Sequence, residues 1–302
     1  MPMKNKTKRA LHLWTLPLVA LLTVSLFVGY QHFSSKPSLP DSTQTTVAAN
    51  PEEQDILAGK TMVAFGDSVT EFGHYPAVIA ENTGMTVHNM GFKGTRLAYH
   101  PYSAYDSFSL TKLVDAIVTR DFSEQDAAIQ EDRNYSVAFK EHYEELKTID
   151  FNTVDLVSVL IGTNDYMGNH AGVVSLGEPA NNTRETFYGA INYFVQTMQE
   201  NYPHLELVFI TPTWRMNHED LGGESAAKQP NARENYLIEF VDAIIERGDY
   251  YDIPTLDLYR TSGLNEENHA TFFEDHVHPN DQGFELIGNT VSHFLVDTYN
   301  SQ

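Results

Sequence analysis

The sequence of 302 residues contains 41 acidic and 19 basic side chains and no cysteine. Its charge is unevenly divided, since residues 1–40 carry +5 and residues 41–302 carry −27. The charge of −27 on residues 41–302 excludes binding to nucleic acid through a basic surface that neutralises phosphates. The absence of cysteine excludes disulfide scaffolds, thiolate metal sites and cysteine nucleophiles. A hydrophobic content of 41% and an aromatic content of 12% exclude a disordered chain.

The first part of the chain has the pattern of a membrane-targeting segment. Residues 1–9 are basic and precede residues 10–30, an uncharged run long enough to cross a bilayer as a helix. The basic end is expected in the cytoplasm and the rest of the chain outside it. Both a membrane anchor and a cleaved signal segment fit. The sequence favours the anchor, because the run is longer than a usual signal core and lacks a small-residue cleavage site at its end.

Residues 31–55 are rich in Ser, Thr, Pro, Gln and Asn and predict a flexible tether. Residues 56–302 are long enough for one large α/β domain. We expect contact with the membrane through the N-terminal helix only. The sequence does not determine the oligomeric state.

Short apolar runs predict five strands in this domain, at residues 61–65, 86–90, 154–161, 206–211 and 255–259. The third and fourth are continuously apolar, which is typical of parallel strands buried on both faces.

Three amphipathic patterns predict helices, at residues 187–198, 237–245 and 284–295. Asn182 and Glu185 have the spacing of a capping box for the first of these, and Gly248 is expected to end the second. The alternation of strands and helices predicts a doubly wound sheet, whose reactive residues should follow the carboxyl ends of the strands.

Four short motifs occupy such positions. Residues 66–69 (GDSV) follow the first predicted strand and place Ser68 at the entry of a helix, where backbone N–H groups favour a developing anion. Residues 91–94 (GFKG) follow the second strand, residues 162–165 (GTND) follow the third, and residues 275–279 (DHVHP) precede the last helix.

Each motif taken alone also has a structural interpretation. Asp67 and Asp165 are expected to fix their turns by accepting backbone hydrogen bonds. Asp275, His276 and His278 lack the spacing of helical metal ligands and have no carboxylate cluster nearby. We therefore expect neither a metal nor a cofactor.

Together and in this order, the motifs resemble the four blocks of the SGNH/GDSL hydrolases, and the resemblance covers residues from about 61 to 300. It implies a three-layer α/β/α sandwich with a five-stranded, flavodoxin-like parallel sheet. It also implies Ser68 as nucleophile, His278 as base and Asp275 as the residue that orients the imidazole.

By the same resemblance, the oxyanion hole consists of the backbone N–H groups of Ser68 and Gly94 and the side-chain amide of Asn164. His276 is the alternative base, but its position within residues 275–279 does not fit the family pattern.

The substrate is less well determined. Residues 166–180 and 213–230 are long connections that predict a substrate rim, with Tyr166, Trp214 and Arg215 as candidate contacts. Packing is an equally good interpretation of Trp214 and Arg215. Because both segments contain few Leu, Ile or Phe residues, we expect a small-molecule or glycan ester with a short, acetyl-like acyl group. A lipase or lysophospholipase activity and a non-catalytic surface binding protein are the alternatives.

Overall fold

The computed structural model of the protein describes residues 56–99, 105–131, 135–167, 173–219 and 222–300. The basic end, the predicted anchor or signal segment at residues 10–30 and the predicted tether at residues 31–55 lie outside these ranges. Within them, no helix combines the length and the apolar character that crossing a bilayer requires.

Five parallel strands form a single sheet in the order β2-β1-β3-β4-β5. This is the strand order of a flavodoxin-like, doubly wound sheet. The strands are β1 Thr61–Gly66, β2 Thr86–Gly91, β3 Leu156–Leu160, β4 Glu206–Ile210 and β5 Thr255–Leu256. All five predicted strands are therefore present. The fifth is shorter than predicted, because the chain enters a helix at Leu258.

Eleven α-helices are assigned within the described ranges. They are α1 Ser68–Phe72, α2 Tyr75–Thr83, α3 Leu110–Thr119, α4 Ser123–Gln130, α5 Val137–Thr148, α6 Thr163–Tyr166, α7 Phe187–Asn201, α8 Leu237–Tyr251, α9 Leu258–Thr261, α10 His269–Phe272 and α11 Asp281–Asn300. The three helices predicted from periodicity correspond to α7, α8 and α11.

The core lies on both faces of the sheet. Val63 and Phe65 enter one buried cluster, while their neighbours Met62 and Ala64 enter another. Successive strand residues point to opposite faces, so this alternation assigns one cluster to each face. The first cluster contains side chains of α3, α5, α7 and α8, and the second contains those of α2 and α11. The sheet thus lies between two helical layers.

Two predicted helix ends are wrong. Helix α7 is capped by Thr186, whose hydroxyl accepts a hydrogen bond from the backbone N–H of Gly189, and not by the Asn182–Glu185 pair. Helix α8 continues past Gly248 to Tyr251, and its C-cap is Asp252, which has a φ of 57°. A Cβ on Gly248 would lie 2.0 Å from the Thr255 hydroxyl oxygen, so this glycine allows α8 to pack closely on β5.

The register of the sheet places the ends of its central strands at one level. Gly66 pairs with Gly91 on one side and with Leu160 on the other, and Leu160 pairs with Ile210. The chain segments that leave β1, β2, β3 and β4 therefore emerge together at the carboxyl edge of the sheet. Three of the four sequence motifs begin there.

Candidate active site

Ser68 is the first residue of α1 and follows β1 after a single intervening residue, Asp67. Asp67 caps the helix, because its Oδ1 accepts a hydrogen bond from the N–H of Val69 at 3.0 Å. The Ser68 side chain is only 8% exposed at this junction. The short connection therefore fixes the hydroxyl at the carboxyl edge of the sheet.

Asp275 and His278 lie in a tight turn ahead of α11. One carboxylate oxygen of Asp275 accepts hydrogen bonds from the backbone N–H groups of Val277 and His278, both at 2.7 Å. The other oxygen lies 2.7 Å from Nδ1 of the His278 ring. The spacing of three residues thus lets the Asp275 carboxylate stabilise the turn through backbone N–H groups and also bind the His278 ring.

The imidazole of His278 connects this turn to Ser68. Its Nε2 lies 2.9 Å from the Ser68 hydroxyl oxygen. In the neutral ring with its proton on Nδ1, the Nδ1–H group donates a hydrogen bond to Asp275. The lone pair of Nε2 can then accept a hydrogen bond from the Ser68 hydroxyl. The structure therefore brings Ser68, His278 and Asp275 into one continuous hydrogen-bonded series.

His276, the alternative base, has a different environment. Its ring lies 6.4 Å from that of His218 and 6.3 Å from that of His269, measured between centroids. Its carbonyl accepts a hydrogen bond from the N–H of Met216. His278 is the histidine that contacts Ser68.

The carboxylate of Asp275 is held in its ionised form. Burial alone would raise its pKa, but the hydrogen bond from the His278 ring and those from the backbone N–H groups of His278 and Val277 outweigh this effect and lower the pKa to about 2. An ionised Asp275 is the partner that an imidazolium at position 278 requires.

Gly94 and Asn164 lie on adjoining turns. Gly94 has a φ of 73°, and a Cβ there would lie 2.5 Å from the Tyr105 ring, so the position requires glycine on two grounds. The side-chain nitrogen of Asn164 donates to the carbonyl of Thr95 at 2.8 Å. An amide nitrogen carries two hydrogens, so this bond orients the group and leaves the second hydrogen for another acceptor.

Two residues without a predicted catalytic role hold these turns together. Asp165 is fully buried and accepts hydrogen bonds from the backbone N–H groups of Leu97 and Ala98. Arg96 donates from Nε to the carbonyl of Asn164 at 2.9 Å. The role expected for Asp165 agrees with these contacts, whereas nothing in the sequence indicated the role of Arg96.

Glu71 is a third supporting residue that sequence reasoning missed. It is 6% exposed, and its carboxylate accepts the backbone N–H of Lys93 at 2.5 Å and the hydroxyl of Ser136. It therefore fastens α1 to the turn that contains Gly94. The only sequence signal was an acidic residue in the first turn of a helix, which is common at helix N-termini.

The three side chains predicted as substrate contacts in the rim are buried. Tyr166 and Arg215 are each 1% exposed and Trp214 is 6% exposed. The guanidinium of Arg215 donates to Asn217 and lies over the Tyr166 ring, while the Trp214 ring packs against Phe273. Because these side chains are enclosed by protein, the structure favours the packing interpretation of Trp214 and Arg215 over a substrate contact, and Tyr166 is enclosed in the same way.

The parts of the chain that the structure describes contain no group of three or more His, Asp or Glu side chains arranged to hold a metal ion.

The sequence profile of the GDSL-like lipase/acylhydrolase family matches residues 64–286, well over half of the chain. The chain belongs to this family. Membership implies an enzyme that hydrolyses ester bonds. The matched range includes Ser68, Gly94, Asn164, Asp275 and His278. No curated protein sequence matches the chain significantly.

Solved structures share the fold of this GDSL-like domain. A protein from Lactobacillus plantarum is 23% identical with a TM-score of 0.57, and the alignment covers 80% of this chain and 98% of that chain. A possible lipase from Chitinophaga pinensis is 18% identical with a TM-score of 0.52, and the alignment covers 79% and 98% of the two chains. At these identities, the similarity shows the fold alone.

Asp67 combines complete burial with incomplete hydrogen bonding. It is 0% exposed, and its Oδ2 has no hydrogen-bond partner among the described residues. Burial is the main reason that its pKa is raised from 3.8 to about 7, although the hydrogen bond from Val69 opposes the shift. The folded protein therefore retains a proton that the unfolded chain releases at lower pH.

We predict that Asp67→Asn removes a pH-dependent penalty on stability. Between pH 3.8 and about 7, the unfolded chain loses the proton and the folded protein keeps it, so the wild-type free energy of unfolding falls relative to that of the variant. The slope of this difference is at most about 1.4 kcal/mol per pH unit. Asparagine also caps helices well, so the turn should persist. Urea unfolding of both proteins across this range provides the measurement, and parallel stability curves would contradict the assignment.

Proposed function

We propose that this protein is a serine esterase in which Ser68 is the nucleophile, His278 the general base and Asp275 the residue that orients the imidazole. The observation that carries the proposal is the hydrogen-bonded series from the Ser68 hydroxyl, at 2.9 Å from His278 Nε2, to Asp275, at 2.7 Å from His278 Nδ1. A serine hydroxyl is a weak nucleophile until an adjacent base accepts its proton, and this arrangement provides that base.

The reaction follows from this geometry in two stages. Ser68 Oγ attacks the ester carbonyl as its proton passes to His278 Nε2, and the imidazolium is stabilised by Asp275. The tetrahedral intermediate collapses, the bond to the alcohol breaks and His278 gives the proton to the leaving alkoxide. Water, deprotonated by His278, then attacks the acyl-serine. As the bond from the acyl carbon to Ser68 Oγ breaks, His278 gives the proton to Oγ, which releases the carboxylic acid and restores Ser68.

We assign the oxyanion hole to the backbone N–H groups of Ser68 and Gly94 and the side-chain amide of Asn164. Several contacts support the assignment. Ser68 begins a helix, the bond to Thr95 orients the Asn164 amide, and the positive φ of Gly94 turns the backbone sharply beside it. Neutral donors fixed before the reaction can stabilise a developing oxyanion without rearranging.

For the substrate, we propose a short acyl group, such as acetyl, on a carbohydrate or cell-envelope glycan. Residues 166–180 and 213–230 each contain a single residue from the set Leu, Ile and Phe, which is little for a lipid-binding lid. The charge of −27 on residues 41–302 disfavours approach to an anionic membrane surface. The basic residues 1–9 and apolar residues 10–30 support a location outside the cytoplasm, with the chain attached to the membrane or secreted after cleavage.

A lipase-type acylhydrolase is the second candidate. The possible lipase from Chitinophaga pinensis shares the fold, and Phe72 is an exposed aromatic residue beside His278. A non-catalytic binding protein is a weaker candidate, because binding alone does not require the series formed by Ser68, His278 and Asp275.

Ser68→Ala tests the assignment of the nucleophile. It is expected to abolish hydrolysis of acetyl esters, because it removes the hydroxyl that contacts His278 Nε2, while the melting temperature changes little. Ser123→Ala, at the exposed start of α4, is the matched control and should keep wild-type activity. Full activity in Ser68→Ala would refute the proposed mechanism.

Asn164→Ala tests the oxyanion hole separately. Loss of one donor to the oxyanion lowers kcat by about 10²–10³ and changes KM only modestly, because the interaction strengthens in the transition state. Asn201→Ala, at the exposed end of α7, is the control. Steady-state kinetics on an acetyl ester compare the two variants with wild type. An unchanged kcat in Asn164→Ala would contradict the assignment of Asn164 to the oxyanion hole.

A panel of esters tests the substrate class. We expect release of acetate from acetylated glycans and faster turnover of short-chain than of long-chain p-nitrophenyl esters, with little action on a phospholipid. Acetate and fatty acid release are measured with wild type and with Ser68→Ala as blank. Equal rates for short and long acyl chains, with no acetate from glycans, would favour the lipase alternative.

A further inference from the structure

Phe72 is an exposed aromatic residue in contact with the proposed base. It ends α1, one helical turn after Ser68, so both side chains lie on the same side of that helix. Its ring meets the His278 ring edge-on, with centroids 5.4 Å apart and an interplanar angle of 61°. Nevertheless, 51% of Phe72 is exposed, which leaves much of the aromatic surface free for a ligand.

Phe72 and His278 line an open cavity with a volume of about 620 Å³. This volume is within the range of small-molecule sites. Phe284 and Pro279 contribute apolar surface, and the carboxylates of Glu274, Asp275 and Asp281 contribute hydrogen-bond acceptors. The cavity therefore combines aromatic surface with groups that accept hydrogen bonds from hydroxyls.

The proposed reaction indicates which half of the ester this cavity receives. His278 Nε2 must pass its proton to the departing alkoxide, so the alcohol leaves on the imidazole side of Ser68. The carbonyl oxygen lies on the other side, toward the oxyanion donors at Gly94 and Asn164. His278 and Phe72, which line the cavity, thus lie on the side of Ser68 from which the alcohol leaves.

We propose that Phe72 is the specificity-determining residue of a leaving-alcohol subsite that receives a carbohydrate ring. The inference rests on the proposed esterase function and names the part of the substrate that this cavity recognises. The apolar face of a sugar ring packs on an aromatic face, and its hydroxyls donate to carboxylates. Glu274 and Asp281 repel an anionic alcohol such as a phosphorylated glycerol.

The test compares two acetate esters that differ only in the alcohol, methyl glucoside monoacetate and ethyl acetate, with the full chain. In Phe72→Ala, the ratio of their kcat/KM values is expected to fall by about tenfold, the size of one aromatic contact. Because a general effect on His278 cancels in the ratio, a merely structural role would leave it unchanged. Phe72→Leu retains an apolar contact with His278 and should give a smaller fall in the same direction.

Two controls complete the design. Tyr250→Ala removes another exposed aromatic ring, which packs on Arg247 and Tyr251 in α8, and should leave the ratio at its wild-type value. The preference of Phe72→Ala for ethyl acetate over ethyl butyrate should also be unchanged, because the acyl group lies on the other side of Ser68.

An unchanged ratio of kcat/KM for the glucoside ester and ethyl acetate in both Phe72 variants would overturn the assignment of the subsite. A change in the preference between ethyl acetate and ethyl butyrate, with that ratio unchanged, would overturn it as well. Wild-type enzyme that hydrolyses ethyl acetate through Ser68 but ignores the glucoside ester would overturn the subsite and leave the esterase proposal standing. Activity that survives Ser68→Ala would overturn the esterase proposal itself.

Discussion

The register of the parallel sheet is the constraint on which the site depends. Because Gly66 pairs with both Gly91 and Leu160, the ends of β1, β2 and β3 are level, and each strand delivers a short turn to the same edge. A shift of one residue in any pairing would move its turn by about 3.3 Å. Such a movement exceeds the tolerance of a hydrogen bond between reacting groups.

The turns at this edge are fixed by buried carboxylates as well as by apolar packing. Glu71 binds the turn after β2, Asp165 binds the backbone of Leu97 and Ala98, and Asp67 caps α1. Burial raises the pKa of Asp165 to about 6, although both backbone hydrogen bonds oppose the shift. A buried carboxyl group destabilises the fold unless its oxygens are hydrogen-bonded. The contribution of these carboxyl groups is therefore to fix the positions of the loops that they bind.

Much of this arrangement was predictable from sequence, for local reasons. A buried parallel strand is a continuous apolar run, as in β3 and β4, and short motifs after strands locate Ser68 and Asn164. The resemblance to the SGNH/GDSL hydrolases adds His278. The helix ends and the rim were not predictable, since they depend on tertiary contacts. Gly248 resembles a helix terminator but serves the contact with Thr255, and Arg215 is enclosed through Asn217 and Tyr166. Periodicity carries no information about such distant partners.

The exposure of Asp275 indicates how the imidazole is oriented. Its side chain is 45% exposed, so a low dielectric constant contributes little to its interaction with His278. The imidazole is oriented instead by the turn, in which the Asp275 carboxylate accepts hydrogen bonds from two backbone N–H groups and from the ring Nδ1–H. The imidazole is therefore held by a geometry that Asp275, Val277 and His278 define within one turn. An orienting carboxylate of this kind can border an open cavity and still keep its histidine aligned with Ser68.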